Sequence, residues 1–224
     1  MEIKPIAKIY TDFDEKFGIP RQSTLIDELK GKIIFEKEYS DISAIKGLNE
    51  FSHIWLIWEF DKAKQNKFCP TVRPPRLGGN ERKGVFATRS PFRPNSLGLS
   101  YVKLEKIEIK SHKPIIYVSG IDMVNGTPIY DIKPYLSFVD SKPNAKCSFA
   151  DEKKHYKLEV IADNNILQKL ESSKQKALIK ILENDPRPAY QADENRVYGF
   201  KFSKKEIKFK VKGNVLTLLS IENG

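Results

Sequence analysis

Six short runs rich in β-branched and aromatic residues follow one another along the first half of the chain: IAKIY (6–10), KIIFEKEY (32–39), HIWLIWEF (53–60), GVFAT (84–88), LSYVKLEKIEI (99–109) and PIIYVSGIDM (114–123). Clusters of Gly, Pro, Asn and Asp separate them, so each run must end before a helix of useful length could form. Many short strands with little helix between them build a barrel or a sandwich, and the fold class is read as mainly β.

Beyond the turn-rich DMVNGTPIYDIKPYLSFVDS (122–141), the segment PNAKCSFADEKKH (143–155) is polar and without periodicity, which reads as a linker. One domain is therefore expected over 1–142 and a second over 156–224. The second opens with YKLEVIA (156–162). It continues as NNILQKLESSKQKALIKILEN (164–184), where Ile166, Leu167, Leu170, Ala177, Leu178, Ile181 and Leu182 recur at helical spacing behind an Asn cap. VYGFKF (197–202), IKFKVK (207–212) and VLTLLSI (215–221) follow, the last two joined by Gly213 and Asn214, a pair suited to a tight hairpin. This small α+β domain reads β-α-β-β-β.

The charge balance bounds the partners. With 39 basic and 29 acidic residues the chain carries a net charge of +10, which favours a polyanion such as nucleic acid. Only Cys69 and Cys147 are present, far apart, so neither a disulfide framework nor a zinc site is indicated and a reducing, cytoplasmic setting is expected. The N-terminal MEIKPIAKIYTDF has no apolar core of a signal peptide, and the most apolar run, 54–60, is too short to cross a bilayer.

The arginines are not spread evenly. Five of the eight, Arg73, Arg76, Arg82, Arg89 and Arg93, lie in VRPPRLGGNERKGVFATRSPFRPNSLGLS (72–100), although lysine supplies most positive charge elsewhere. A planar guanidinium that donates as a fork is wanted there, on a backbone that Pro74, Pro75, Pro91, Pro94 and four glycines keep from being helical. Phosphates or a carboxylate are the matching ligands. Phe86 and Phe92 beside them either stack on bases or pack in a core, with the core as the default; Trp55 and Trp58 are expected to fill a core.

Other chemistry is sparse. No G-x-G-x-x-G follows a strand and no G-x-x-x-x-G-K-[ST] occurs, which argues against a Rossmann or P-loop nucleotide site. Gly78-Gly79-Asn80 reads as an ordinary turn. His53, His112 and His155 stand apart from carboxylate or thiol partners, so no metal is expected. Asp122 ends a strand run, where its carboxylate either caps a turn or reaches a ligand. DPRPAYQ (185–191) ends the helix with a stiff display of polar groups.

KFGIPRQ (16–22), GLNEFSHIWLIWEFD (47–61), the stretch 71–100, DMVNGTPIYDIKPYL (122–136) and DPRPAYQ together resemble the TsaA-like, TrmO family of S-adenosylmethionine-dependent tRNA methyltransferases. The resemblance implies a small β-barrel that binds S-adenosylmethionine without a Rossmann fold and works as a homodimer. It implies methylation of N6 of N6-threonylcarbamoyladenosine, next to the anticodon. By the same resemblance the cofactor is expected against Arg21, Gln22 and Ser23, Asp61 and Lys62, Arg89, Leu99, and the strand end Ile121, Asp122, Met123 and Val124. Asp185 and Tyr190 are the expected catalytic residues, while Arg73, Arg76, Arg82 and Arg93 are left for the tRNA and its threonyl carboxylate. Two positions depart from the family pattern: Asn125 stands where an aspartate is common, and Asp61-Lys62 where a His-Gln pair is familiar. The readings weighed against this one are a non-catalytic β-barrel RNA-binding module and a methyltransferase of the same fold acting on another acceptor.

Overall fold

A computed structural model describes residues 2–63, 67–74, 81–152, 156–187 and 193–224. Six strands close into a barrel in the order β1 (Ala7–Tyr10), β2 (Lys30–Phe35), β7 (Lys113–Ser119), β6 (Leu97–Lys110), β3 (His53–Glu59) and β8 (Thr127–Pro134), with β8 returning to β1. Every neighbouring pair is antiparallel. Alternation sends Ile54, Leu56 and Trp58 of β3, Val102 of β6, Ile116 and Val118 of β7 and Ile129 of β8 inward, where they are buried. Between β3 and β6, β4 (Thr71–Val72) and β5 (Lys83–Gly84) form a two-stranded ribbon.

The barrel is closed by a strand that the sequence reading assigns to turns. Thr127–Pro134 carries prolines at both ends, and Pro128 lies beyond the last β3 pairing, Trp58 with Ile129, so its missing N–H falls outside that ladder. The run GVFAT corrects in the other direction. Only Lys83–Gly84 pairs; Val85–Ala87 turns as a short 3₁₀ helix, closed by the Thr88 N–H (3.2 Å) and hydroxyl (2.9 Å) donating to the Val85 carbonyl. The two tryptophans also part company. Trp58 is buried, whereas Trp55 lies half-buried on the outer face with Tyr101 and Tyr135 at ring distances of 5.4 and 5.8 Å, its N–H donated to Asp140 at 2.9 Å.

The C-terminal unit is a four-stranded sheet in the order β10 (Tyr198–Phe202), β11 (Lys205–Lys212), β12 (Val215–Asn223) and β9 (Glu159–Ile161), with β9 parallel to β12. The single helix expected over 164–184 is two. Asn164–Leu167 is capped by the Asp163 side chain rather than by an asparagine, and Ser172–Glu183 follows after a break that turns Leu170 into the core. Ala177, Leu178, Ile181 and Leu182 form the buried stripe of the longer helix, as the spacing predicts. Gly213–Asn214 joins β11 to β12 as a two-residue turn.

Residues 12–28 of the barrel unit are held against this sheet and helix. Phe13 meets Phe202 and Phe17 meets Phe200 at ring distances of 5.3 and 6.1 Å. Lys174 pairs with Asp12, Lys180 pairs with Glu28 at 2.6 Å, and the Ser203 N–H donates to the Asp12 carbonyl at 2.9 Å. Among the described residues no helix is long and apolar enough to cross a membrane.

Candidate active site

Four of the residues expected around the cofactor converge at one end of the barrel. The peptide of Thr24 is anchored to the end of β7 by its N–H donating to the Gly120 carbonyl at 2.8 Å, while Gly120 donates to Leu29 at 2.9 Å. Gly120 has φ +74° and a Cβ there would lie 3.2 Å from the Thr24 Cα, so this close crossing of two backbones requires glycine. The crossing brings the Ser23 backbone N–H to the Asp122 carboxylate. From the other side, the Arg89 guanidinium donates to the Gln22 side-chain oxygen.

Asp122 is the electrostatic centre of this group. Its Oδ1 accepts a hydrogen bond from the Ser100 hydroxyl at 2.8 Å, and Ser100 Oγ accepts one from the Trp58 indole N–H at 3.0 Å. Because the indole can only donate, the serine proton is directed at the carboxylate. Trp58 is in place because its cross-strand partner is Gly98, where a Cβ would lie 2.3 Å from the indole. Burial pushes the Asp122 carboxyl up to about 6; the Ser100 hydroxyl, the backbone N–H groups of Asp122 and Ser23, and the Arg89 charge oppose that rise without cancelling it.

The other expected cofactor residues are placed as follows. Ile121, Met123 and Val124 are buried, so their side chains belong to the core and only their backbone is available to a ligand. Leu99 is 59% exposed on the outer face of β6, paired with Ile57 of β3. Asp61 and Lys62 begin a 3₁₀ turn after β3. Lys62 donates to the Asp14 carbonyl at 3.1 Å, and Lys16 donates to the Lys62 carbonyl. The departure at Asn125 has a physical reason: its amide nitrogen donates to Asp14 Oδ1 at 3.2 Å while its oxygen accepts from the Thr11 N–H at 3.2 Å. An aspartate would supply no proton for Asp14.

The four arginines left for substrate divide. Arg82 donates to the Thr71 hydroxyl at 2.8 Å and carbonyl at 3.3 Å, and Arg93 to the carbonyls of Val85 (3.2 Å) and Thr88 (2.7 Å). Both hold the loop that bears them. Arg73 is exposed, and Arg76, like Gly78-Gly79-Asn80, lies outside the described residues. Phe86 and Phe92, for which a core is the default expectation, are exposed.

Asp185 is engaged on both oxygens: Oδ1 accepts from Arg187 Nε at 2.8 Å, and Oδ2 from Arg187 Nη2 at 2.9 Å and the Tyr156 hydroxyl at 3.0 Å. This pair raises the arginine's proton affinity further above its ordinary value. The loop it braces reaches the loop expected to hold the cofactor, since Arg21 Nη2 donates to the Arg187 carbonyl at 3.3 Å. DPRPAYQ holds Asp185 and Arg187 two residues apart, but the addition of Tyr156 to that pair and the Trp58–Ser100–Asp122 chain join residues far apart in sequence and are not legible there. Tyr190 lies outside the described residues, as does His155. No cluster of three or more His, Cys, Asp or Glu suited to a metal ion occurs among the described residues.

The family profiles are decisive. Residues 8–141 match the tRNA-methyltransferase O N-terminal domain and residues 153–224 match the TrmO C-terminal domain. The chain belongs to the tRNA-methyltransferase O family. It is 37% identical over 199 residues to the tRNA (adenine(37)-N6)-methyltransferase of Escherichia coli K12, a match that covers 86% of this chain and 85% of that one. It is 38% identical over 208 residues to a putative S-adenosylmethionine-dependent methyltransferase, RcsF, of Pseudomonas aeruginosa PAO1, covering 89% and 87%. The crystal structure of TrmO from Pseudomonas aeruginosa superposes with a TM-score of 0.79 at 28% identity, covering 100% of this chain and 99% of that one.

Proposed function

We propose that this member of the tRNA-methyltransferase O family transfers a methyl group from S-adenosylmethionine to N6 of N6-threonylcarbamoyladenosine at position 37 of tRNA, as a cytoplasmic homodimer. The observation that carries the reading is the convergence of Arg89, Gln22, Ser23 and Asp122 at one end of the barrel. S-adenosylmethionine supplies a methyl on a cationic sulfonium and brings an ammonium and a carboxylate. The residues fit it at its carboxylate, which the Arg89 guanidinium suits.

The chain's task is to hold the acceptor nitrogen in line with the methyl carbon, roughly 3 to 3.5 Å away. N6 of the acceptor bears a proton that must leave, since its lone pair is spread into the purine and the carbamoyl. Asp122 is the described group of this site whose carboxyl, near 6, is ionised at neutral pH and still basic enough to take that proton. Asp185, engaged on both oxygens, poses the loop that meets Arg21. Arg73 makes no hydrogen bond to another described residue and is the described guanidinium suited to the threonyl carboxylate.

Thermal unfolding with saturating S-adenosylmethionine tests the cofactor reading, because a ligand specific for the folded state must raise the melting temperature. Arg89→Ala is expected to abolish most of that rise without RNA present. No rise in the unsubstituted protein would favour the non-catalytic RNA-binding module.

A further inference from the structure

The stretch between β3 and β6 carries large apolar surface that neither the barrel nor the cofactor group uses. Phe86 is 70% exposed and Phe68 is 52% exposed, and their rings are stacked with centroids 6.3 Å apart and planes 26° from parallel. The Arg93 guanidinium lies over the Phe86 ring at 5.6 Å. Two exposed phenylalanines in contact lose apolar hydration only in part, so they are an unfinished surface.

The mount beneath them is firm. The Val85 N–H donates to the Pro70 carbonyl at 2.9 Å, which ties the turn bearing Phe86 to the arm bearing Phe68. Arg82 closes the β4–β5 ribbon through its two bonds to Thr71, and Arg93 fixes the 85–88 turn through two carbonyls. The guanidinium preference of this stretch is thereby explained in part: a planar fork grips two acceptors at once where an ammonium would not. Phe86 is also three residues from Arg89, so their Cα atoms lie within roughly 11 Å of each other.

We propose that Phe68 and Phe86, braced by Arg82 and Arg93, form a stacking platform for an unpaired base of the RNA loop that presents the acceptor adenosine. Unstacked bases offer a π face to aromatic side chains and guanidinium planes, and an arginine-bearing rim complements the phosphates that flank them. The proposal rests on the tRNA reading above. It adds to that reading a place where a nucleotide neighbouring the acceptor is held, which is how a flat loop base is kept splayed while its neighbour reacts.

Equilibrium binding of an anticodon stem-loop RNA is compared for the unsubstituted protein, Phe86→Ala, Phe68→Ala and Phe86→Tyr. S-adenosylmethionine affinity is measured alongside, and sedimentation gives the assembly state. Both alanine variants are expected to weaken RNA binding roughly 5- to 100-fold. Phe86→Tyr is expected to retain binding, with cofactor affinity and the salt dependence unchanged. RNA affinity unchanged in both alanine variants overturns the platform, and so does a change of sedimentation mass with no direct loss in RNA affinity, which would assign the rings to a second copy of the chain. Failure of the functional reading is separable: it would show as absent methyl transfer by the unsubstituted protein, whatever the rings do to binding.

Discussion

Replacing Asp122 by asparagine should make the protein more stable and less active. The Asp122 carboxyl ordinarily titrates at 3.8 and in the folded protein at about 6, because burial disfavours its charge more than Ser100, Ser23 and Arg89 favour it. About two units correspond to ~3 kcal/mol. The folded state binds the proton more tightly than the unfolded chain, so this contribution is fully present below about 3.8 and is lost as pH rises through about 6. At pH 7.5 the wild-type protein carries the whole cost of a buried charge. Asparagine can still accept the Ser100 hydroxyl bond, so Asp122→Asn should gain up to ~3 kcal/mol, or about 6 to 12 °C in melting temperature for a chain of this size. At pH 4 the two proteins should melt nearly together. Methyl transfer should fall by at least ~100-fold in the variant, and in the wild type should decline about tenfold per unit below pH 6. Scanning calorimetry at both pH values, with initial rates from pH 5 to 8, checks this. A variant no more stable at pH 7.5, or a pH profile flat through 6, would refute the reasoning.

Three further outcomes follow from single contacts. Gly98→Ala places a methyl against the Trp58 indole, so it should cost ~1–3 kcal/mol in urea unfolding and loosen the Ser100–Asp122 bond, seen as a higher KM for S-adenosylmethionine. Asn125→Asp replaces the amide that donates to Asp14 by a second carboxylate, so stability should drop by ~1 kcal/mol in urea unfolding at pH 7.5. Asp185→Asn should raise the KM for S-adenosylmethionine several-fold with kcat retained, since it loosens the loop that meets Arg21; a loss of kcat alone would make Asp185 the proton acceptor instead.

Short strands and period-two burial made the barrel legible, because Ile54, Leu56 and Trp58 alternate with half-exposed neighbours as the run HIWLIWEF requires. The closing strand was hidden by Pro128 and Pro134, which local rules assign to turns and which this topology tolerates because Pro128 lies beyond the β3 ladder and Pro134 at its end. GVFAT looks like a strand by composition, yet a threonine closing on Val85 and an arginine gripping two carbonyls turn it outward. The PRQ loop and the strand end at Asp122 are recognisable as motifs. Their meeting is not, since Thr24–Gly120 and Trp58–Ser100–Asp122 join residues far apart in the chain. The arginine stretch stands out in the sequence, but its division does not: Arg82 and Arg93 brace the loop, and Arg89 faces Gln22.

The central claim is tested most directly by transferring labelled methyl from S-adenosylmethionine onto total tRNA from cells with and without the threonylcarbamoyl modification, followed by nucleoside analysis. The account predicts label in N6-methyl-N6-threonylcarbamoyladenosine from the modified pool alone. Equal labelling of both pools, or label on another nucleoside, would contradict it.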